Sequence, residues 1–223
     1  MHVYRGRATT PAADRSASGD LLEVAAERGV PAVRVWYPPR QVAFGRRDRS
    51  ASGYDRARAL ASRQGYPPTE RRAGGHPVAF TGNTLAFALV RPADELRTGI
   101  GERYEAALED LTAALEACGV APDRGEPPGS FCPGSHSLSA DGKVAGLAQR
   151  VRADVASVAG VVVARDDDAI ATVLDTVYDT LDIPFDPNSV GSVAGAGGDP
   201  FTLRTAVEDA LVGDAPRSVR QVR

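Results

Sequence analysis

Lysine is almost absent from this chain. Its 223 residues include 26 lysines and arginines together, and of these only Lys143 is lysine. Arginine therefore supplies positive charge wherever solubility or pairing is all that is required. A retained lysine reads either as a place where a compact ammonium on a flexible stem does what a planar guanidinium fork does not, or as a chance survivor on the solvated turn after Asp141-Gly142. Cysteine is nearly as scarce: Cys118 and Cys132 are too few for a disulfide framework. The three histidines, His2, His76 and His136, are scattered without metal-ligand spacing, so no metal site is expected. No apolar run approaches the roughly 20 residues of a membrane span, which argues against a membrane protein. The opening residues Met1 to Arg7 lack the apolar stretch of a signal peptide, so a cytoplasmic location is expected. A net charge of −3 leaves no basic footprint, and nucleic acid is not expected as a partner.

What remains is the composition of an ordinary soluble domain, with 43% hydrophobic and 25% charged residues. The length suits one large domain, and no internal repeat or linker divides it. Alternation predicts strands at Val3–Arg7, Ala32–Trp36, Gln41–Arg46, Val78–Phe80, Thr84–Val90 and Ala156–Ala164. Helical periodicity with stop signals predicts helices over Pro11–Gly29, Tyr54–Arg63, Tyr104–Cys118, Ala169–Thr180 and Pro200–Val212. The acidic run Asp166-Asp167-Asp168 reads as a helix N-terminus and not as a metal site. Together these elements predict a single α+β domain over residues 1–212, followed by a polar tail, 213–223, expected to fray.

The most informative stretch runs from Phe131 to Arg150. Asp141-Gly142 is a hairpin turn signal between Ser137–Ala140 and Lys143–Ala148. Period-2 alternation sets Lys143, Ala145 and Leu147 on one face and Gly146 on the other, so the lysine is expected at the hairpin's tip and Gly146 where a ligand or backbone comes close. Cys118 falls on the apolar face of its helix and reads as core. Cys132 lies instead in a Pro/Gly-rich loop upstream of the lysine, the setting of a reactive thiol. His136, four residues on, reads either as a solvated turn residue or as a base for Cys132. In a second stretch, Arg71-Arg72 precede Gly74-Gly75. Glycines let backbone approach a ligand and arginines grip anions, although a plain hairpin turn reads the same way.

Three blocks in order resemble the catalytic domain of the lipoate–protein ligase, biotin–protein ligase and octanoyltransferase superfamily. Val35 to Arg46 is similar to that family's Trp-x-Pro…Val-x-x-Gly-Arg strand pair. Arg71 to Val78, with Gly82-Asn83, resembles its Arg-Arg-x-Ser-Gly-Gly-Gly loop and following Gly-Asn. Gly142 to Arg150 resembles its Gly-Lys-Lys-Ile-x-Gly-x-Ala-Gln strand. The resemblance implies an α+β fold with a central mixed sheet, and attachment of a lipoyl or octanoyl group to a lysine of a small acceptor domain, such as E2 subunits or the glycine cleavage H protein. It implies Cys132 and Lys143 as catalytic residues, with Lys143 holding the acyl carbonyl or an adenylate phosphate. Arg71, Arg72, Gly74, Gly75, His76, Val78, Asn83, Gly146 and Gln149 would form the substrate channel.

The departures from the pattern bear on the branch. Adenylating ligases carry a third glycine where this chain has His76, and a Val-x-His where it has Val78-Ala79-Phe80. They also use an accessory domain, which here a separate subunit would supply. Phe131-Cys132-Pro133-Gly134 before the lysine strand resembles the cysteine-dependent transferases, which pass the acyl group through a thioester and need no cofactor. Three readings stand: a Cys132 transferase, a ligase using ATP, Mg and lipoate with an accessory subunit, and a non-catalytic binder of lipoyl domains.

Overall fold

The structure is a computed structural model, and it describes residues 1–71, 74–92, 99–152 and 155–222. The chain runs β1 (His2–Arg5), α1 (Pro11–Arg28), β2 (Ala32–Trp36), β3 (Gln41–Phe44), α2 (Tyr54–Arg63), β4 (Pro68–Glu70), β5 (Val78–Phe80), β6 (Thr84–Pro92), α3 (Ile100–Ala117), β7 (Asp123–Arg124), β8 (Ser137–Ser139), β9 (Lys143–Arg152), β10 (Val155–Val163), α4 (Asp167–Thr180), α5 (Leu203–Val212) and β11 (Ser218–Gln221). Single 3-10 turns lie at Asp48–Ser50 and Pro187–Ser189. The boundaries follow local chemistry. Thr10 caps α1 by accepting from the Ala13 N–H, Pro11 opens it, and Gly29 ends it in the left-handed region.

The strands form a mixed eight-stranded sheet in the order β11-β1-β2-β6-β10-β9-β8-β7 and a three-stranded sheet in the order β4-β3-β5. This is the expected α+β architecture, with the smaller sheet carried as a separate layer. The central strands of the large sheet are apolar on both faces. Val33 and Val35 of β2, Leu85, Phe87 and Leu89 of β6, and Val158 and Val162 of β10 pack with α3 and α5. Ala32, Val90 and Val155 on the opposite face pack with Leu21 and Ala25 of α1. Further along that sheet, Val163 joins a second core with β3, β5, α2, α4 and Phe131. Cys118 is buried in the first core, as its place on the helix predicts. Among the described residues no helix is long and apolar enough to cross a membrane.

The tail does not fray. β11 extends the large sheet as a parallel neighbour of β1, with Ser218 N–H on the Met1 carbonyl and Val222 N–H on the Arg5 carbonyl. Arg217 then pairs with Asp209 and the buried Glu208, which also holds Arg5 and Arg204. All four β11 side chains are exposed, so the binding is done by main chain and leaves no apolar pattern to read.

One buried ion pair secures α1 to the sheet. Arg34 of β2 is fully buried and donates to Asp14 Oδ1 at 2.6 Å, to Ser18 Oγ at 2.7 Å and to the Asp14 and Gly6 carbonyls. The indole of Trp36 donates to the other Asp14 oxygen at 2.7 Å. Burial holds the Arg34 guanidinium below its ordinary pKa, and the Asp14 carboxylate works in the opposite direction. Removing one member strands the other without a counter-charge. Asp14→Ala is therefore expected to cost about 3–5 kcal/mol in urea unfolding. Arg124→Ala, which breaks an exposed pair with Glu105, is expected to leave the unfolding midpoint unchanged.

Candidate active site

The site is built where β9, the 126–137 loop and the Arg71–Pro77 loop meet beneath α4. Asp141 and Gly142 both carry positive φ, as a tight Asp-Gly hairpin turn requires. Asp141 at the turn is exposed, but the chain goes inside directly after it. Gly142 packs so closely on Gly191 that a Cβ there would lie 2.6 Å from the Gly191 nitrogen, and Lys143 forms an isolated bridge with Val190. Lys143 is consequently buried, with 2% of its surface accessible.

Its side chain corrects the simple alternation. Ser139 pairs with Lys143 but Leu138 pairs with Ala145, so a bulge falls between them. The bulge turns the lysine over Gly146, where an added Cβ would lie 3.1 Å from Cε and 3.5 Å from Nζ. Gly146 thus makes room for Lys143 itself and is not on the opposite face. The ammonium donates to Glu126 Oε2 at 2.6 Å and to the Phe131 and Cys132 carbonyls, each at 3.0 Å. Those three acceptors use all three of its N–H groups. Glu126 was not among the residues singled out from sequence. Lying 17 positions upstream in an irregular loop, it gave no periodic signal.

Cys132 is held in an unusual backbone conformation, φ 42°, which a non-glycine residue adopts only under local constraint. Two contacts supply that constraint: its carbonyl accepts from Lys143, and its N–H donates to the Tyr178 hydroxyl at 2.7 Å. Tyr178 in turn donates to the Pro77 carbonyl at 3.0 Å, so one phenol on α4 joins the cysteine loop to the Arg71–Pro77 loop. Burial, followed by the nearby Cys132, raises the Tyr178 pKa far above its ordinary value, so this hydroxyl keeps its proton.

Gly75 is the point of closest approach. It has φ 83°, and a Cβ there would sit 2.6 Å from Cys132 Sγ and 3.0 Å from Arg71 Nη2. Its carbonyl faces Gly45, where a Cβ would lie 2.0 Å from that oxygen. Gly74 has no neighbour within 4 Å of such a position. Arg71 closes the loop onto itself through the Gly74 and His76 carbonyls and places Nη2 3.3 Å from Cys132 Sγ. Its donors therefore serve the loop and the sulfur in this arrangement. Arg72 lies outside the described residues. His76 sets Nδ1 3.4 Å from Oδ1 of the buried Asp48, whose other oxygen accepts from Gly45 N–H at 2.6 Å.

The remaining sequence candidates lie around this centre at differing removes. Val78 is buried in the second core with Phe131 and Tyr178, forming the wall behind the loops. Gln149 receives no thiol contact: its backbone N–H donates to the Tyr104 hydroxyl at 2.7 Å, and its amide lies between the Ile100 carbonyl and the Arg103 guanidinium. Asn83 is tied to Asp166 at 2.8 Å and to Arg165 at 3.0 Å, and lines an open depression of ≈ 530 Å³ with Arg7, Thr9, Pro39, Arg40 and Thr81. Neither Cys132 nor Lys143 lines that depression. His136 stacks on Tyr104, with ring centroids 3.6 Å apart, which commits its ring elsewhere than the sulfur.

The arrangement offers a half-buried free thiol, a guanidinium against it, and a buried ammonium bound to its carbonyl. That set can form and hold an acyl thioester. An octanoyl-GcvH:protein N-octanoyltransferase of Geobacillus kaustophilus is 35% identical over 126 residues, 56% of this chain and 44% of that protein. A lipoyl-GcvH:protein N-lipoyltransferase of Listeria monocytogenes is 31% identical over 137 residues, 60% of this chain and 49% of that one. The aligned part thus spans about half the length of these curated relatives. A crystal structure of lipoate-protein ligase A bound with ATP superposes with a TM-score of 0.73 at 19% identity, covering 99% of this chain and 87% of the other, a likeness of fold. The model of the lipoyl protein ligase A/B catalytic domain matches residues 20–211, and the chain belongs to that family.

Proposed function

We propose that the protein is an acyltransferase that moves an octanoyl or lipoyl group from one lipoyl-type carrier to a lysine of another, through a thioester on Cys132. The observation that carries this reading is the Cys132 setting: a thiol on a left-handed loop residue, pressed against Gly75 and touched by Arg71, with its carbonyl bound by Lys143. The names of the relatives point to a GcvH-type protein as donor and a protein as acceptor, and a second lipoyl domain, such as that of an E2 subunit, is the acceptor proposed here. The reaction runs in the cytoplasm, where both thiols stay reduced.

In the first half-reaction the sulfur attacks the acyl carbonyl carbon and the carrier's lysine amine leaves. In the second, the acceptor's lysine amine attacks the thioester carbonyl and the sulfur leaves. ATP is not consumed, because the acyl group stays covalently bound throughout. Arg71 puts a fixed positive charge beside the sulfur while it carries negative charge as attacker and leaving group. Lys143 stabilises the developing oxyanion when the acyl oxygen replaces one of its three acceptors. Glu126 is the one that can be exchanged, since it keeps the Ser137 hydroxyl at 2.8 Å and the Gly134 N–H at 2.8 Å.

Intact-protein mass spectrometry after incubation with an octanoylated GcvH-type carrier, without ATP, is expected to show one octanoyl adduct that hydroxylamine removes. Cys132→Ala is expected to show none. Acylation of an acceptor that depends on ATP and releases pyrophosphate would make the protein a ligase, and no acylation under either condition would leave a binder. Lys143→Met is expected to slow thioester formation about 10²–10³-fold, as loss of one oxyanion donor does elsewhere. The adjacent glycines separate cleanly. Gly75→Ala, with a Cβ 2.6 Å from the sulfur and a positive φ to maintain, is expected to abolish adduct formation, whereas Gly74→Ala is expected to leave its rate within a few-fold of the parent.

A further inference from the structure

An amide donor imposes a requirement that a thiol, a guanidinium and an ammonium do not meet. The carbon–nitrogen bond of an acyl-lysine breaks only if the departing amine receives a proton, and the attacking amine of the acceptor must later give one up. Most ionisable groups near Cys132 are committed. The Arg71 guanidinium does not release its protons, and Lys143 keeps two donors on the Phe131 and Cys132 carbonyls and gives the third to Glu126 or, during transfer, to the acyl oxygen. Glu126 has both oxygens occupied, by Gly134 N–H and by Ser137 and Lys143. The Tyr178 proton lies on the Pro77 carbonyl, and His136 is stacked on Tyr104.

His76 is the exception. It follows Gly75, the residue pressed against the sulfur, and its own carbonyl shares Arg71 Nη2 with that sulfur. Its side chain is 34% exposed, so substrate and bulk proton donors reach it. Nδ1 faces Asp48 Oδ1 at 3.4 Å, and Asp48 is 1% exposed and fixed by Gly45 N–H. A buried carboxylate on Nδ1 selects the tautomer with its proton there and leaves Nε2 as the basic nitrogen. Among the described residues no hydrogen bond reaches Nε2. The contact is long, as acid–base contacts are before substrate tightens them.

We propose that His76 is the proton shuttle of the transfer and that Asp48 is its positioning residue, completing a Cys132–His76–Asp48 set. The proposal rests on the thioester reading above. In the first half-reaction Nε2 takes the thiol proton as sulfur bonds to the acyl carbon, then passes it to the lysine nitrogen as the amide bond breaks. In the second half-reaction Nε2 takes a proton from the acceptor amine as nitrogen bonds to the thioester carbon, and returns it to sulfur as the C–S bond breaks. No oxidant, metal or nucleotide enters the balance.

The test compares two donors on the same variants. An octanoylated GcvH-type carrier is an amide, whereas octanoyl-pantetheine is a thioester whose leaving thiolate needs no proton. His76→Gly, which restores the glycine of related sequences, is expected to lose 10²–10⁴-fold in Cys132 acylation from the amide. It is expected to stay within about tenfold of wild type with the thioester donor, as general-base help to the thiol matters less when the leaving group departs unaided. Added imidazole is expected to restore the amide reaction. Asp48→Asn is expected to follow His76→Gly with the amide donor, because an amide on Nδ1 favours the other tautomer, and to resist rescue by imidazole. Equal losses with both donors and no rescue would reduce His76 to a structural residue and overturn the proposal. Amide turnover unchanged in His76→Gly would also overturn it. Failure of the wild type to acylate Cys132 from either donor would instead remove the transferase reading on which it rests.

Discussion

A single ammonium decides the geometry of this site. Burying an unpaired charge costs several kcal/mol, and Lys143 is buried almost completely. The cost is offset because one carboxylate and two carbonyls accept its three protons. Those acceptors lie at residues 126, 131 and 132, so satisfying the charge also fixes the path of the loop and draws the Cys132 carbonyl inward. The resulting φ of 42° at Cys132 is the conformational consequence. A guanidinium has five donors in a rigid plane and would leave some unpaired in this space. That explains why a chain that otherwise relies on arginine keeps a lysine here.

The second constraint is thickness. Gly45, Gly75 and Cys132 lie in van der Waals contact across the interval between the small sheet and the cysteine loop, and a methyl group at either glycine would meet an atom closer than 3 Å. The large sheet repeats this economy: a Cβ at Gly160 of β10 would meet the Gly146 carbonyl at 2.5 Å and the Phe87 ring at 2.7 Å. Close approach brings polar groups together as well as backbone. Asp48, fixed by the Gly45 N–H, reaches His76 because Gly45 admits the Gly75 carbonyl against its own backbone.

Elements held by side-chain periodicity were legible in the sequence. The helix over Tyr54–Arg63, the apolar face of α3 and the Asp-Gly hairpin follow from spacing and turn chemistry. Elements held by main chain or by single polar contacts were not. β11 is an exposed strand fixed by backbone ladders and arginine pairs, which look in sequence like a solvated tail. The bulge at Leu138/Ser139 carries no residue signature, so simple alternation put Lys143 and Gly146 on opposite faces. In the site, Cys132, Lys143 and Gly75 were visible as residue types in unusual settings. Glu126, Tyr178 and Asp48 were not: Glu126 lies in an irregular loop without a pattern, Tyr178 and Asp48 reach the site from distant segments, and their chemistry exists only once α4, the 3-10 turn and the loop have packed.

The substitution at the third loop position is intelligible in terms of leaving groups. A ligase that works through an acyl-adenylate expels a nucleotide phosphate, which departs as an anion without help from an acid. A glycine suffices there, since what the loop must do is let its backbone approach the phosphate. A transferase that begins from an amide expels an amine, for which backbone N–H groups are no substitute for a proton donor. Replacing that glycine by a histidine changes an anion-binding loop into one with acid–base capacity. In the proposed mechanism Asp48 sets the tautomer, and Gly75, the residue before His76, packs against the sulfur. On this reading His76, the residue that departs from the family pattern, is where the same fold is adapted from activated to unactivated acyl donors.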